Sequence, residues 1–150
     1  MVEGEDIPDV AVTTADGAMP LASLGLPLVV YFYPKDDTAG CTREAQDFTA
    51  LLPAFAEAGA VVVGISKDSP EAHAKFTAKH ALSVALATDT DGSVCEAFGV
   101  WIEKNMYGRN YMGIERATFL FGADGKLAKA WRKVRVPGHV EAVLTAVGMQ

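Results

Sequence analysis

Val29–Thr42, VVYFYPKDDTAGCT, is the stretch from which the rest of the chain is read. Together with Leu28, its first residues are β-branched or aromatic, which predicts a buried strand at Leu28–Phe32. Pro34 stops that strand, because proline cannot donate to a sheet ladder. Residues Lys35 to Gly40 then form a polar loop of turn-forming residues, and the loop delivers Cys41 to the start of a helical pattern. Such a helix start carries unpaired N–H groups and the positive end of the helix dipole, and both favour an anion. Thiols in these surroundings ionise more readily than free cysteine. Thr38, three residues before Cys41, offers a hydroxyl for donation to the sulfur or to a substrate oxygen. Pro34 supplies a rigid apolar wall with no competing donor. An isolated cysteine is more often a small buried hydrophobe. The loop in front of Cys41 favours the reactive reading instead.

Beyond Cys41, the residues Ala45, Phe48, Leu51, Leu52 and Phe55 recur at helical spacing, with a kink or an irregular turn expected near Pro53. Glu44 reads as a first-turn acid that complements the helix dipole. Ala60–Ser66 is the clearest buried strand. Ser69 caps and Pro70 opens a helix through about His80. A third strand at Val84–Thr88 completes a βαβ alternation, which predicts parallel neighbours. After the turn at Asp89–Gly92, a short helix at Ser93–Phe98 carries Cys95. Toward the N-terminus, Val10–Thr13 and Ala18–Leu21 form a hairpin around Ala15-Asp16-Gly17, and a turn at Ser23–Leu26 leads to Pro27. Gly99–Gly113 is apolar but irregular and reads as a flap near the site. Glu115–Phe121 and Leu127–Val134 pair as a second hairpin, whose cationic side chains guard an edge strand. Val140–Val147 is the closing helix.

A chain of 150 residues, half of them hydrophobic, fits one compact domain over residues 1–150. The net charge of −6 argues against a nucleic-acid or membrane-surface partner, and no apolar run is long enough to span a bilayer. The acidic start MVEGEDIPDV lacks the pattern of a secretory signal. Two cysteines are too few for a disulfide scaffold, so a cytoplasmic protein using its thiols chemically is expected. Asp89-Thr90-Asp91-Gly92 lacks the further ligands of a calcium loop. His73, His80 and His139 show no metal-ligand pairing, so neither metal nor cofactor is expected. His73 and His80 read as surface or core-edge residues of their helix.

Pro34, Thr38 and Cys41 match the P-x-x-x-T-x-x-C motif of peroxiredoxins, thiol peroxidases on a thioredoxin-like fold. The longer string YFYPKDDTAGCT resembles the bacterioferritin comigratory protein or Q-type branch, with Ala39 where that branch commonly has proline. The resemblance runs collinearly from Ile7-Pro8-Asp9 through FGVW and GIERATFLF to the last helix. It implies an α/β, thioredoxin-like fold: a central mixed sheet flanked by helices, with an N-terminal hairpin. It implies Cys41 as the peroxidatic nucleophile that becomes a sulfenic acid, with Thr38 and Pro34 beside it. Gly113-Ile114-Glu115-Arg116 occupies the place of the family's distant arginine; the residues alone do not separate Arg116 from Arg132. For Glu44 it implies a supporting role, orienting that arginine.

The implied substrates are hydrogen peroxide and organic hydroperoxides. The implied reductant is a thioredoxin-like protein or a small thiol, and the implied state is a monomer. Many relatives carry a resolving cysteine five residues after the nucleophile, where this chain has Gln46, or in the following helix, which here has none. Three routes stay open: resolution by Cys95, direct reduction by an external thiol, or pairing of Cys41 between two chains. A non-enzymatic thioredoxin-like binding or chaperone module, or a peroxide sensor, is the alternative function, and alkylation of Cys41 across pH separates the module from the enzyme. A C-x-x-C oxidoreductase is disfavoured by Glu44 at the second cysteine position.

Overall fold

A computed structural model describes residues 1–150. Nine strands and four helices follow in the order β1 (Ala11–Thr14), β2 (Gly17–Pro20), β3 (Leu28–Phe32), α1 (Ala39–Glu57), β4 (Val61–Ser66), α2 (Pro70–His80), β5 (Ala85–Thr88), α3 (Ser93–Phe98), β6 (Trp101–Met106), β7 (Arg109–Ile114), β8 (Ala117–Phe121), β9 (Leu127–Trp131) and α4 (His139–Gly148). Seven strands form one mixed sheet in the order β2-β1-β5-β4-β3-β8-β9. The three strands joined by helices, β3, β4 and β5, are parallel, as crossover connections require. Antiparallel β1 and β8 flank them.

Strands β3 and β8 are buried along their whole length, which explains why their sequences are apolar but for Thr118, whose hydroxyl pairs with His139. Because side chains alternate across a strand, β3 feeds two cores. Val29 and Tyr31 pack with residues of α1, α2 and α4 on one face. Leu28, Val30 and Phe32 pack with α3 and the N-terminal segment on the other. This division separates the two thiols: Cys41 belongs to the first core and Cys95 to the second.

The register of β3 against β8 positions the site. Phe32 lies opposite Ala117, so Arg116, one residue earlier, arrives beside the loop that leaves β3. Behind that loop, Tyr31 lies opposite Gly64, and its ring covers the glycine so closely that a Cβ there would stand 2.5 Å from Cζ.

Several expectations are corrected. Gly99–Gly113 is not irregular: β6 and β7 form a regular antiparallel ribbon from Trp101↔Ile114 to Met106↔Arg109, turning at Tyr107-Gly108, both at positive φ. The two glycines that obscured its period serve the turn and the crowded Gly113 position beside Lys104. Helix α1 starts at Ala39, which moves Glu44 beyond its first turn. The turn after β2 is a short 3₁₀ segment at Leu21–Leu24, and β9 ends at Trp131, where Arg132 turns away to Glu115. His73 is buried rather than at an edge.

Candidate active site

The loop between β3 and α1 is held from α2. The Tyr33 hydroxyl donates to Asp36 Oδ1 at 2.6 Å, and His73 Nδ1 lies 2.7 Å from Asp36 Oδ2. His73 Nε2 donates to the Ala87 carbonyl at 3.1 Å, since a carbonyl only accepts. Asp37, at the strained φ of 59°, is anchored by Lys79 at 2.7 Å and His80 at 2.8 Å. The residue types that looked like plain turn formers therefore carry a network that fixes the loop's shape. Partners from α2 lie more than thirty residues away in sequence, so no local signal marked them.

Cys41 sits in the first turn of α1, where the helical ladder has only begun: its first bond is Thr42 N–H to the Thr38 carbonyl. The thiol is buried, at 2 % exposure, yet not sealed in apolar surroundings. Arg116 donates from Nη2 to Cys41 Sγ at 3.3 Å and from Nη1 to Glu44 Oε1 at 2.7 Å. One guanidinium thus spans two acidic groups, the use its fixed fork suits. Gly40 makes room for it, for a Cβ there would lie 3.1 Å from Nη2.

Glu44 is fully buried, and its Oε2 has no hydrogen-bond partner. Burial pushes its carboxyl up to about 7, although Arg116 pulls the other way. The dipole role expected for Glu44 is replaced by this contact with Arg116. The buried Tyr31 hydroxyl is likewise unpartnered, and burial first, then the field of Glu44 and Cys41, raises its pKa.

Thr38 and Pro34 are exposed at the mouth of the site. The Thr38 hydroxyl donates to the Lys35 carbonyl at 2.9 Å, not to the sulfur, so an arriving molecule meets its oxygen lone pairs. Pro34 shares a groove of about 360 Å³ with Lys67, Trp101, Lys104, Tyr111, Met112, Gly113 and Ile114. The β6–β7 ribbon therefore lies by the site, as a flap was expected to. Arg132 is not part of the site; it clamps Glu115 at 2.7 Å and the Gly99 carbonyl at 2.8 Å. Cys95 is fully buried under the opposite face of the sheet, its N–H bonded to Asp89, and burial pushes its thiol up. The structure does not bring it to Cys41.

A thioredoxin-like sheet whose β3–α1 junction presents a cysteine to a half-buried arginine has the layout of a thiol redox enzyme. Comparison with known proteins narrows the class. The AhpC/TSA family model matches residues 4–130. Peroxiredoxin Bcp of Xanthomonas campestris pv. campestris is 53% identical over 120 residues, 80% of this chain and 75% of the relative. A putative peroxiredoxin bcp of Coxiella burnetii is 46% identical over 143 residues, 94% of this chain and 95% of the relative.

Among solved structures, the bacterioferritin comigratory protein of Xanthomonas campestris, studied for its alkyl peroxide reduction activity, superposes with a TM-score of 0.87 at 46% identity, covering 94% of this chain and 91% of that one. A PrxQ mutant of Xylella fastidiosa superposes with a TM-score of 0.92 at 38% identity, covering 99% and 96%. The chain belongs to the AhpC/TSA family, in its Bcp or Q-type peroxiredoxin branch, and is a thiol-dependent peroxidase.

Proposed function

We propose that Cys41 is the peroxidatic nucleophile, that Arg116, Thr38 and Pro34 shape its encounter with peroxide, and that the cycle uses this one cysteine. The 3.3 Å approach of the Arg116 guanidinium to Cys41 Sγ carries the reading, because a permanent cation at a sulfur favours its thiolate. The thiolate attacks one oxygen of R–O–OH, the O–O bond breaks, and sulfur is oxidised to a sulfenic acid while the other oxygen leaves as an alcohol or water. Thr38 accepts from the peroxide's O–H, which aims that O–H toward the sulfur. Arg116 and the N–H groups at the start of α1 stabilise the charge that moves from sulfur to oxygen. Pro34 keeps the mouth apolar. The groove beside it has room for an organic group, in keeping with the alkyl peroxides reduced by the Xanthomonas relative.

Reduction falls to an external thiol, a thioredoxin-like protein or a small thiol, because Cys95 lies across the sheet and a disulfide needs Cα atoms within about 7 Å. We read the protein as a cytoplasmic monomer of one domain; no helix is long and apolar enough to cross a membrane. Steady-state peroxide consumption with excess thiol tests the assignment. Cys41→Ser should abolish turnover, and Arg116→Met and Thr38→Val should each lower it by roughly 10²–10³. Intact-mass measurement after one equivalent of peroxide should find one added oxygen on Cys41 and no loss of two hydrogens. Near-normal turnover by Cys41→Ser removes the nucleophile.

A further inference from the structure

The site holds one half-buried cation and two buried groups able to become anions. Arg116 divides its fork between Cys41 Sγ and Glu44 Oε1. Glu44 is fully buried with Oε2 unpartnered, the position in which a charged oxygen is most penalised and a neutral one least. With both groups ionised, a single guanidinium would face two negative charges in a water-poor space. With only one ionised, the buried charges cancel.

We propose that Glu44 and Cys41 share one proton, so that Glu44 is a neutral acid while the sulfur is a thiolate and ionises when the sulfur becomes an uncharged sulfenic acid. The inference deepens the proposed function and rests on Cys41 as nucleophile. The oxidative half-reaction then balances inside the site. Cys41–S⁻, Glu44–COOH and ROOH give Cys41–SOH, Glu44–COO⁻ and ROH. The S–O bond forms as the O–O bond breaks, sulfur loses two electrons to the peroxide, and one proton arrives on the departing oxygen as one leaves Glu44, so no net proton is consumed. Reduction by two external thiols, R′SH, reverses the placement: Cys41–SOH, Glu44–COO⁻ and 2 R′SH give Cys41–S⁻, Glu44–COOH, R′SSR′ and water. Arg116 remains charged throughout and pairs with whichever neighbour is the anion.

The surroundings agree with this exchange. The groups that face the pair are Tyr31 from β3, Asp47 from α1, Lys104 from β6 and His139 from α4, besides Arg116 itself. Asp47 opposes ionisation of Glu44, as does burial, which is the largest influence and holds its carboxyl at about 7. Tyr31 stays protonated and brings no charge. His139 is kept neutral by burial and Arg116, so it adds no second cation. Lys104 interacts with Arg116 and Cys41 from the ribbon side, not with Glu44. Glu44 touches no substrate; it acts through Arg116 and the sulfur.

The experiment oxidises the reduced full-length protein, freed of reductant, with one equivalent of hydrogen peroxide near neutral pH. Infrared difference spectra should show the carbonyl stretch of an uncharged carboxylic acid disappearing and a carboxylate appearing, with neither change in Glu44→Gln. In weak buffer with an indicator dye, the wild type should take up almost no protons, whereas Glu44→Gln should take up one per sulfur oxidised. Should Glu44→Gln fail to fold, Cys41→Ser serves instead: its neutral hydroxyl leaves the guanidinium to Glu44, so the acid band of reduced wild type should be absent. A wild type that gains sulfenic acid at Cys41 while keeping the acid band unchanged and consuming one proton overturns the shared proton and leaves the nucleophile standing. Absence of oxygen on Cys41 overturns both.

Discussion

Arg116 earns its importance from what it separates. On one side stands Glu44, whose carboxyl is raised from 4.5 to about 7 by burial; behind stands His139, lowered from 6.5 to about 4 by burial and by Arg116. The raised acid stabilises the fold below pH 4.5 and loses that contribution as pH climbs through about 7. The depressed histidine contributes above pH 6.5 and loses it as pH falls through about 4. Each shift corresponds to about 3 kcal/mol, with opposite slopes over nearly the same range. The wild type should therefore show little change in urea stability between pH 4.5 and 6.5. Glu44→Gln should remove one slope and lose stability steadily as pH is lowered through that window. At this scale the sequence was legible only in part. Cys41, Thr38 and Pro34 lie in one short motif, whereas Arg116 lies 75 residues from Cys41 and had an equal in Arg132 until the resemblance chose between them. Glu44 reads as a first-turn acid because the polar loop hides a helix start at Ala39, two residues before Cys41.

Elements set the tolerances around these side chains. Gly40 adopts helical backbone in α1, so alanine there improves helix propensity by up to about 1 kcal/mol. Its methyl would also crowd Nη2 of Arg116 at 3.1 Å. Gly40→Ala should thus leave thermal stability equal or slightly higher while lowering the rate of Cys41 oxidation, measured by stopped flow. Gly64→Ala should act oppositely. Its methyl meets the Tyr31 ring at 2.5 Å, and that ring is stacked on Phe48 at 4.4 Å, so the core on the α1 face must shift. A cost of about 1–3 kcal/mol in chemical denaturation is expected. Strands and helices with clear periods were legible from sequence, β3, β4 and α2 above all. The β6–β7 ribbon was not, because apart from Ile114 at its end both faces carry exposed or half-exposed side chains and no buried stripe imposes alternation.

At the scale of the molecule, the sheet decides which chemistry belongs together. The βαβ alternation implied parallel strands at its centre, and this is what β3, β4 and β5 form. The face on which a short helix such as α3 packs depends on the chain's path through loops, which composition does not encode. Hence the position of Cys95 relative to Cys41 became visible only in three dimensions.

That partition makes the deeper thiol a clock. Native protein treated with a fast maleimide should be labelled at Cys41 first, and Cys95 should react only when α3 lifts from the sheet. The rate of that second labelling, followed in mild denaturant, therefore times the opening of this face of the sheet without any introduced probe.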